Sequence, residues 1–159
     1  MKNYEIGSGQ LSLAIIAQLI KERTKLSLSA LAVKRIEKCR KYLDDKLSNN
    51  GDPIYGINTG FGYLQHIKIE SENLTQLQHN LLLSHACGTG QEVPKEIVKL
   101  MLLLKVQSLS YGHSAIALTT VQRLIDFYNN DILPVIYTQG SLGASGDLAP
   151  LAHLALPLI

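Results

Sequence analysis

The sequence predicts an all-α fold, mainly helical with short extended segments around its loops. Two observations carry this. Apolar residues recur at helical spacing in successive stretches, and serine or proline stands where most stretches open, with Gly, Asn or Asp where most of them close. A third observation sets the scale: 159 residues, 46% hydrophobic and 18% charged, suffice for a folded unit with a real core.

The elements follow in order. Ser12 can cap a short helix whose apolar residues are Leu13, Ile16, Ala17 and Ile20. Ser29 can cap a longer one, with Ala32, Ile36, Cys39, Leu43 and Leu47 on one side and Lys34, Lys38, Lys41 and Asp45 on the other. The run Asn49-Asn50-Gly51-Asp52-Pro53 ends it. Ile54 to Asn58 reads as a short extended stretch entering Thr59-Gly60-Phe61-Gly62, where the glycines disfavour a regular helix. Ser71 opens a helix with Leu74, Leu77, Leu81 and His85 on one stripe, to be stopped by Gly88 and Gly90. Pro94 suits a first helical position, and from there to about Ser110 the segment is apolar on most faces and should be largely buried. A further helix covers roughly Leu118 to Asn129. Pro134 to Tyr137 reads as extended, and Gln139 to Gly146 as a loop of small residues. Asp147 then starts an apolar segment that tolerates Pro150 in its first turn. Its continuation, LAPLAHLALPLI, carries no charged side chain and no stop signal, so it is expected to pack inside something larger.

The segment Gly143-Ala144-Ser145-Gly146-Asp147-Leu148-Ala149-Pro150-Leu151 holds the strongest chemical signal. A Gly-Ser connector is the plainest reading. A serine nucleophile elbow needs G-x-S-x-G, and Gly143-Ala144-Ser145-Gly146-Asp147 misses the second spacing. A phosphate loop would need a lysine after its glycines, and none follows. The fourth reading uses the backbone. In Ala-Ser-Gly the glycine nitrogen can attack the alanine carbonyl carbon and close a five-membered ring, because no Cβ blocks its approach. Loss of water from the ring, then of the serine hydroxyl as water, leaves a methylidene conjugated with the ring carbonyl. The product, 4-methylidene-imidazole-5-one, is a strong electrophile. None of the twenty side chains is electrophilic, so a protein needing an electron sink must make or bind one.

This loop, with its prologue Gly140-Ser141-Leu142, resembles the signature of the histidine, phenylalanine and tyrosine ammonia-lyases and the related aminomutases. The resemblance runs over nearly the whole chain, through Tyr55-Gly56-Ile57-Asn58-Thr59-Gly60-Phe61-Gly62 and through Leu81 to Gly88. It implies a methylidene-imidazolone formed from Ala144, Ser145 and Gly146, with Asp147 in support at the start of a helix. The partial positive charge of that helix terminus would stabilise electron density on the imidazolone oxygen. It implies Tyr55 as the base that removes the β-hydrogen of an amino acid substrate. A free phenol has a pKa of about 10, so the phenolate is a strong base where its surroundings favour it. Gly62 would keep the mobile loop clear of bulk near the substrate. His85, where periodicity alone suggests leucine and a core histidine, falls in Ser84-His85-Ala86-Cys87-Gly88. That segment resembles the family's selectivity segment in its form for polar rings, so His85 is implied as a substrate-binding residue. The activity implied is non-oxidative deamination of L-histidine to urocanate and ammonia, with tyrosine or phenylalanine lyases or aminomutases as the alternative. The chain, 1–159, would then be the N-terminal portion of a larger helical subunit, self-processing at 143–147, that assembles as a homotetramer. On its own it would be inactive; a catalytically silent fragment or assembly partner is the alternative of another class.

The remaining residues narrow the field. A net charge of +2 without a basic cluster gives no reason to expect nucleic acid or a membrane surface as partner. The apolar stretches are shorter than the ~20 residues that span a bilayer. Cys39 and Cys87 form no C-x-x-C pair, which suits a reduced, cytoplasmic protein. His66 and His79 are expected to face solvent, and His153 to supply a supporting hydrogen bond. His85, His113 and His153 have no metal-ligand spacing, so no metal is expected. In Tyr111-Gly112-His113-Ser114-Ala115-Ile116-Ala117 the family usually shows glycine after the serine and arginine soon after; Ala115 and Ala117 depart from that.

Overall fold

A computed structural model describes residues 2–49, 52–144 and 146–159. Among these, six α-helices and four short strands form two compact units.

The first unit comprises the chain up to Leu47 and Pro94–Leu133. Strand β1 (Asn3–Ile6), helix α1 (Leu13–Glu22) and strand β2 (Lys25–Leu28) form a small parallel β-α-β unit, with Asn3 opposite Lys25 and Ile6 opposite Leu28. Helix α1 starts as its sequence predicts: the Ile15 N–H donates to Ser12 Oγ at 3.3 Å. Ser29 performs the same task for α2 (Ala30–Asn49), accepting the Ala32 N–H at 3.2 Å. The stripe on α2 is buried at Ala32, Ile36 and Leu43 and half-buried at Cys39 and Leu47. Helices α4 (Lys95–Ser110) and α5 (Leu118–Asn129) complete the unit. Val98, Leu102, Leu103 and Val106 meet Val121, Ile125 and Tyr128 in a core from which solvent is excluded. Truncating one of these leucines to alanine would cost about 2–5 kcal/mol.

The two strands of this unit are not legible as a pair in the sequence. Their ladder depends on a partner brought back by α1, and β2 is finished on the other side by a side chain. Asn129 accepts the Leu26 N–H through Oδ1 at 2.8 Å and donates through Nδ2 to the Leu26 carbonyl at 2.9 Å. Its amide thus stands in for one residue of a further strand.

The second unit comprises Ser48–Val93 and Pro134–Ile159. It holds α3 (Leu74–His85), an antiparallel pair of β3 (Thr89–Glu92) and β4 (Tyr137–Gln139), and α6 (Ala149–Ala155), which runs on into a short 3-10 turn. Helices α3 and α6 pack against one another. Two expectations need correction here. Residues 54–58 are not extended: Ile57 and Asn58 both return their N–H groups to the Ile54 carbonyl, closing a turn. The cause is Asn58, buried at the turn's centre, whose Oδ1 accepts the Ile54 N–H at 2.6 Å and whose Nδ2 donates to the Asp52 carbonyl. Second, α3 ends at His85, ahead of Gly88, because the chain must straighten to enter β3. All four residues of β3 are exposed, so no apolar alternation announces it.

Candidate active site

Tyr55, Phe61, Gly62 and His85 are brought together by ring packing and one backbone hydrogen bond. The Tyr55–Gly62 segment is held to α3 by Gln78, whose Nε2 donates to the Ile57 carbonyl at 3.2 Å. Within the segment, the Gly62 N–H donates to Tyr55 Oη at 3.3 Å. That donor faces the oxygen on which a phenolate would carry its charge. Phe61 sits between the other two rings, edge-on to Tyr55 with centroids 5.6 Å apart and perpendicular to His85 at 5.7 Å. Tyr55 is 59% exposed and Phe61 39%, so both face out of the unit's core. The sequence reading named Tyr55, Gly62 and His85 but missed Phe61 and Gln78. An aromatic between two glycines was the available signal for Phe61; the tether from Gln78 is a tertiary contact with no local signature.

The surroundings of His85 favour one tautomer. Its Nδ1 lies 2.7 Å from the Leu81 carbonyl, an acceptor only, so Nδ1 carries the hydrogen. In the neutral ring Nε2 is then the lone-pair nitrogen; Ser84 Oγ also meets Nδ1, at 3.1 Å, and Nε2 has no hydrogen-bond partner among the described residues. The half-buried ring offers an acceptor to whatever lies beyond α3.

The loop Gly140–Asp147 is closed by Asp147. Its Oδ1 accepts the Ser141 N–H at 2.9 Å and the Ala149 N–H at 3.1 Å. The carboxylate lies where a Cβ on residue 140 would have to be, so a side chain there would displace Asp147 from its place. Between these ends the Gly146 N–H returns to the Gly143 carbonyl at 3.1 Å, and Gly146 has φ +90°, a backbone that favours glycine. The Gly146 N–H is thus engaged with the Gly143 carbonyl, one residue before the Ala144 carbonyl that ring closure would use. Ala144 is exposed; Ser145 lies outside the described residues. Small residues between two tied ends, with a glycine whose nitrogen carries no neighbouring Cβ at position 146, suit an imidazolone formed from Ala144, Ser145 and Gly146.

The helix terminus differs from the expectation. Helix α6 begins at Ala149, not at Asp147, and its first N–H is taken by the Asp147 carboxylate, while Pro150 has none. The first turn has little left to offer a developing oxyanion. Asp147 therefore braces the loop and also fills the terminus.

The other histidines divide. His153 is buried, and its Nε2 accepts the Gly88 N–H at 2.9 Å, the supporting bond expected of it. His66 and His113 are exposed. His79 corrects its expectation: it is half-buried, with Nδ1 out of solvent and without a partner among the described residues. No group of three His, Cys, Asp or Glu side chains arranged to hold a metal ion occurs among the described residues. No helix among them is long and apolar enough to cross a membrane. Cys39 and Cys87 are free thiols.

The chain is 48% identical over 149 residues to a histidine ammonia-lyase of Deinococcus radiodurans, covering 94% of this chain and 28% of that protein. It is 45% identical over 159 residues to that of Idiomarina loihiensis, covering all of this chain and 31% of the relative. The chain thus spans about 30% of the length of the curated relatives it matches. Among solved structures it resembles the ergothioneine-degrading enzyme ergothionase of Treponema denticola, with TM-score 0.92 and 29% identity over 99% of this chain and 31% of that one. It also resembles histidine ammonia-lyase from Trypanosoma cruzi, with TM-score 0.82 and 34% identity over 98% of this chain and 30% of that one. The profile of the family described as aromatic amino acid lyase matches residues 11–159, nearly the whole length, and the chain belongs to that family.

Proposed function

We propose that this chain is the N-terminal portion of a histidine ammonia-lyase subunit that converts L-histidine to urocanate and ammonia and assembles as a homotetramer. The observation that carries the reading is the loop Gly140–Asp147, tied shut by one carboxylate around Ala144-Ser145-Gly146. Identities of 42–48% to histidine ammonia-lyases support the choice of substrate.

The methylidene-imidazolone, once formed, supplies the electrophile that turns the substrate's amino group into a better leaving group. The chain's own residues do the rest. Tyr55 acts as the phenolate and takes the β-proton at its oxygen; the Gly62 N–H is directed at that oxygen and stabilises its negative charge before the transfer. His85 Nε2 accepts a ring N–H of the substrate, its own proton being fixed on Nδ1 by the Leu81 carbonyl. Phe61 packs the base against the selectivity residue. Asp147 holds the loop.

Tyrosine is the second reading, because an acceptor at Nε2 suits a phenol O–H as well as an imidazole N–H. Phenylalanine offers no donor and would leave that nitrogen unpaired. The test uses a subunit of the relatives' length carrying this sequence. Its intact mass should be lower by two waters, with absorbance in the near ultraviolet beyond that of its tyrosines. Ser145→Ala should abolish both, together with turnover. Histidine should be deaminated faster than tyrosine and phenylalanine. A full-mass wild-type chain would defeat the electrophile, and faster turnover of tyrosine would favour the second reading.

A further inference from the structure

His153 is buried and structurally committed, and the reaction as described gives it no task. It lies on α6, one turn beyond the Ala149 N–H that Asp147 holds. Its Nε2 accepts from a backbone N–H, which can only donate, so the ring is the neutral tautomer with its proton on Nδ1. Its ring stands edge-on to Tyr137 of β4, centroids 5.4 Å apart at 80°.

The partner is Gly88, three residues after His85. Beyond α3 the chain makes two local bonds, Ala86 N–H to the Leu82 carbonyl and Cys87 N–H to the His85 carbonyl. The next N–H, that of Gly88, leaves the local series and goes to His153. A Cβ on residue 88 would stand 2.9 Å from Nε2 and 3.1 Å from Cδ2, so glycine is what lets the ring approach. The segment that carries His85 is thus pinned at its far end by the helix that follows the self-processing loop.

We propose that His153 is a positioning residue for substrate selectivity: by accepting the Gly88 N–H it fixes the segment Ser84–Gly88, and with it the direction in which His85 Nε2 faces the substrate ring. The inference rests on the reading of His85 as the partner of that ring. Two variants separate the acceptor from the packing. His153→Phe keeps a ring against Tyr137 and removes the acceptor. His153→Gln loses the ring and keeps an acceptor, its Oε1 standing where Nε2 was.

Both are tested in the full-length subunit, with His85→Leu alongside. Two quantities are read: hydrogen exchange at the Gly88 amide, and the ratio of kcat/KM for histidine over phenylalanine. In His153→Phe the Gly88 amide should exchange at least about tenfold faster and the ratio should fall by about tenfold. Intact mass should still show the loss of two waters. In His153→Gln both quantities should stay within about threefold of wild type. An unchanged Gly88 exchange rate in the Phe variant overturns the clamp. So does a ratio unchanged in the Phe variant while His85→Leu lowers it. Equal losses of ratio and protection in Phe and Gln variants would reduce His153 to packing and also overturn it. If His85→Leu itself leaves the ratio unchanged, the reading of His85 fails first and the selectivity role of His153 falls with it.

Discussion

The Asp147 carboxylate accepts the Ser141 N–H across the loop it closes, occupying the space that any side chain at Gly140 would need. One charged group therefore fixes both ends of the segment proposed to cyclise. Gly140→Ala would drive a Cβ into that carboxylate and push the ends apart, while leaving Ala144, Ser145 and Gly146 unchanged. The expected outcome is a folded subunit whose intact mass fails to fall by two waters, or does so far more slowly than wild type. A Gly140→Ala protein that matures at the wild-type rate would mean that the Asp147 brace is dispensable for cyclisation.

Tyr55→Phe removes the phenol oxygen and keeps the edge contact with Phe61. Loss of a general base should lower kcat by roughly 10²–10⁴-fold. Because Tyr55 is largely exposed and its oxygen bonds only to the Gly62 N–H among the described residues, thermal stability should change little. Activity and melting temperature are measured together; a Phe variant with most of its activity rules Tyr55 out as the base.

His85→Leu restores the residue type that the stripe Leu74, Leu77 and Leu81 suggests. If Nε2 pairs with the substrate ring, histidine should lose roughly 1–3 kcal/mol of specificity, about ten- to a hundredfold in kcat/KM, and phenylalanine should lose far less. Equal losses for histidine, tyrosine and phenylalanine would return His85 to a packing role.

What the sequence made legible was local. Ser12 and Ser29 announce α1 and α2 because a side-chain oxygen directly before an apolar stripe serves a backbone donor two or three residues on. The span of α5 can be read from its pattern alone, since both its buried face and its stop are written in adjacent residues. What was not legible depends on partners distant in the chain. Residues 54–58 turn rather than extend because of one buried asparagine, and β3 exists because β4 is brought beside it. In the candidate site, Tyr55, His85 and Ala144 to Asp147 can be named from motifs. That Phe61 lies between two of the rings, that Gly140 makes room for Asp147, and that His153 reaches Gly88 are facts of packing.

Ala115 gives a prediction about stability. It stands where the family usually has glycine, and its φ is +53°, in the left-handed region. An alanine there costs roughly 1–2 kcal/mol in backbone strain, against which glycine's larger unfolded-state entropy counts about 0.4–1 kcal/mol. Ala115→Gly should therefore stabilise the full-length subunit by about 0–1.5 kcal/mol and raise its Tm. A calorimetric Tm that falls instead would show that residue 115 does not hold this conformation in solution.

Tyr128 gives a prediction about pH. Its ring is 1% exposed in the first unit, Lys99 stands 4.8 Å from the ring centroid, and its Oη is buried without a hydrogen-bond partner among the described residues. Burial pushes the phenol's pKa above its ordinary value, and the negative charge of Asp131 adds to the rise. The folded chain therefore holds this proton to higher pH than the unfolded chain does. The contribution is fully present below the unfolded value of about 10 and is lost as pH rises through it toward the raised native value. Tyr128→Phe deletes both the titrating proton and the unpaired hydroxyl. At neutral pH the variant should be as stable as wild type or more so, by up to about 1–3 kcal/mol, because a buried polar atom without a partner is removed. Above about pH 10 the gap should widen, since the variant has no phenol to ionise on unfolding. Urea midpoints measured at pH 7 and near pH 10.5 decide the matter. A variant less stable at pH 7 would mean that Oη has a partner in solution, and a gap that does not grow with pH would mean that Tyr128 ionises as readily folded as unfolded.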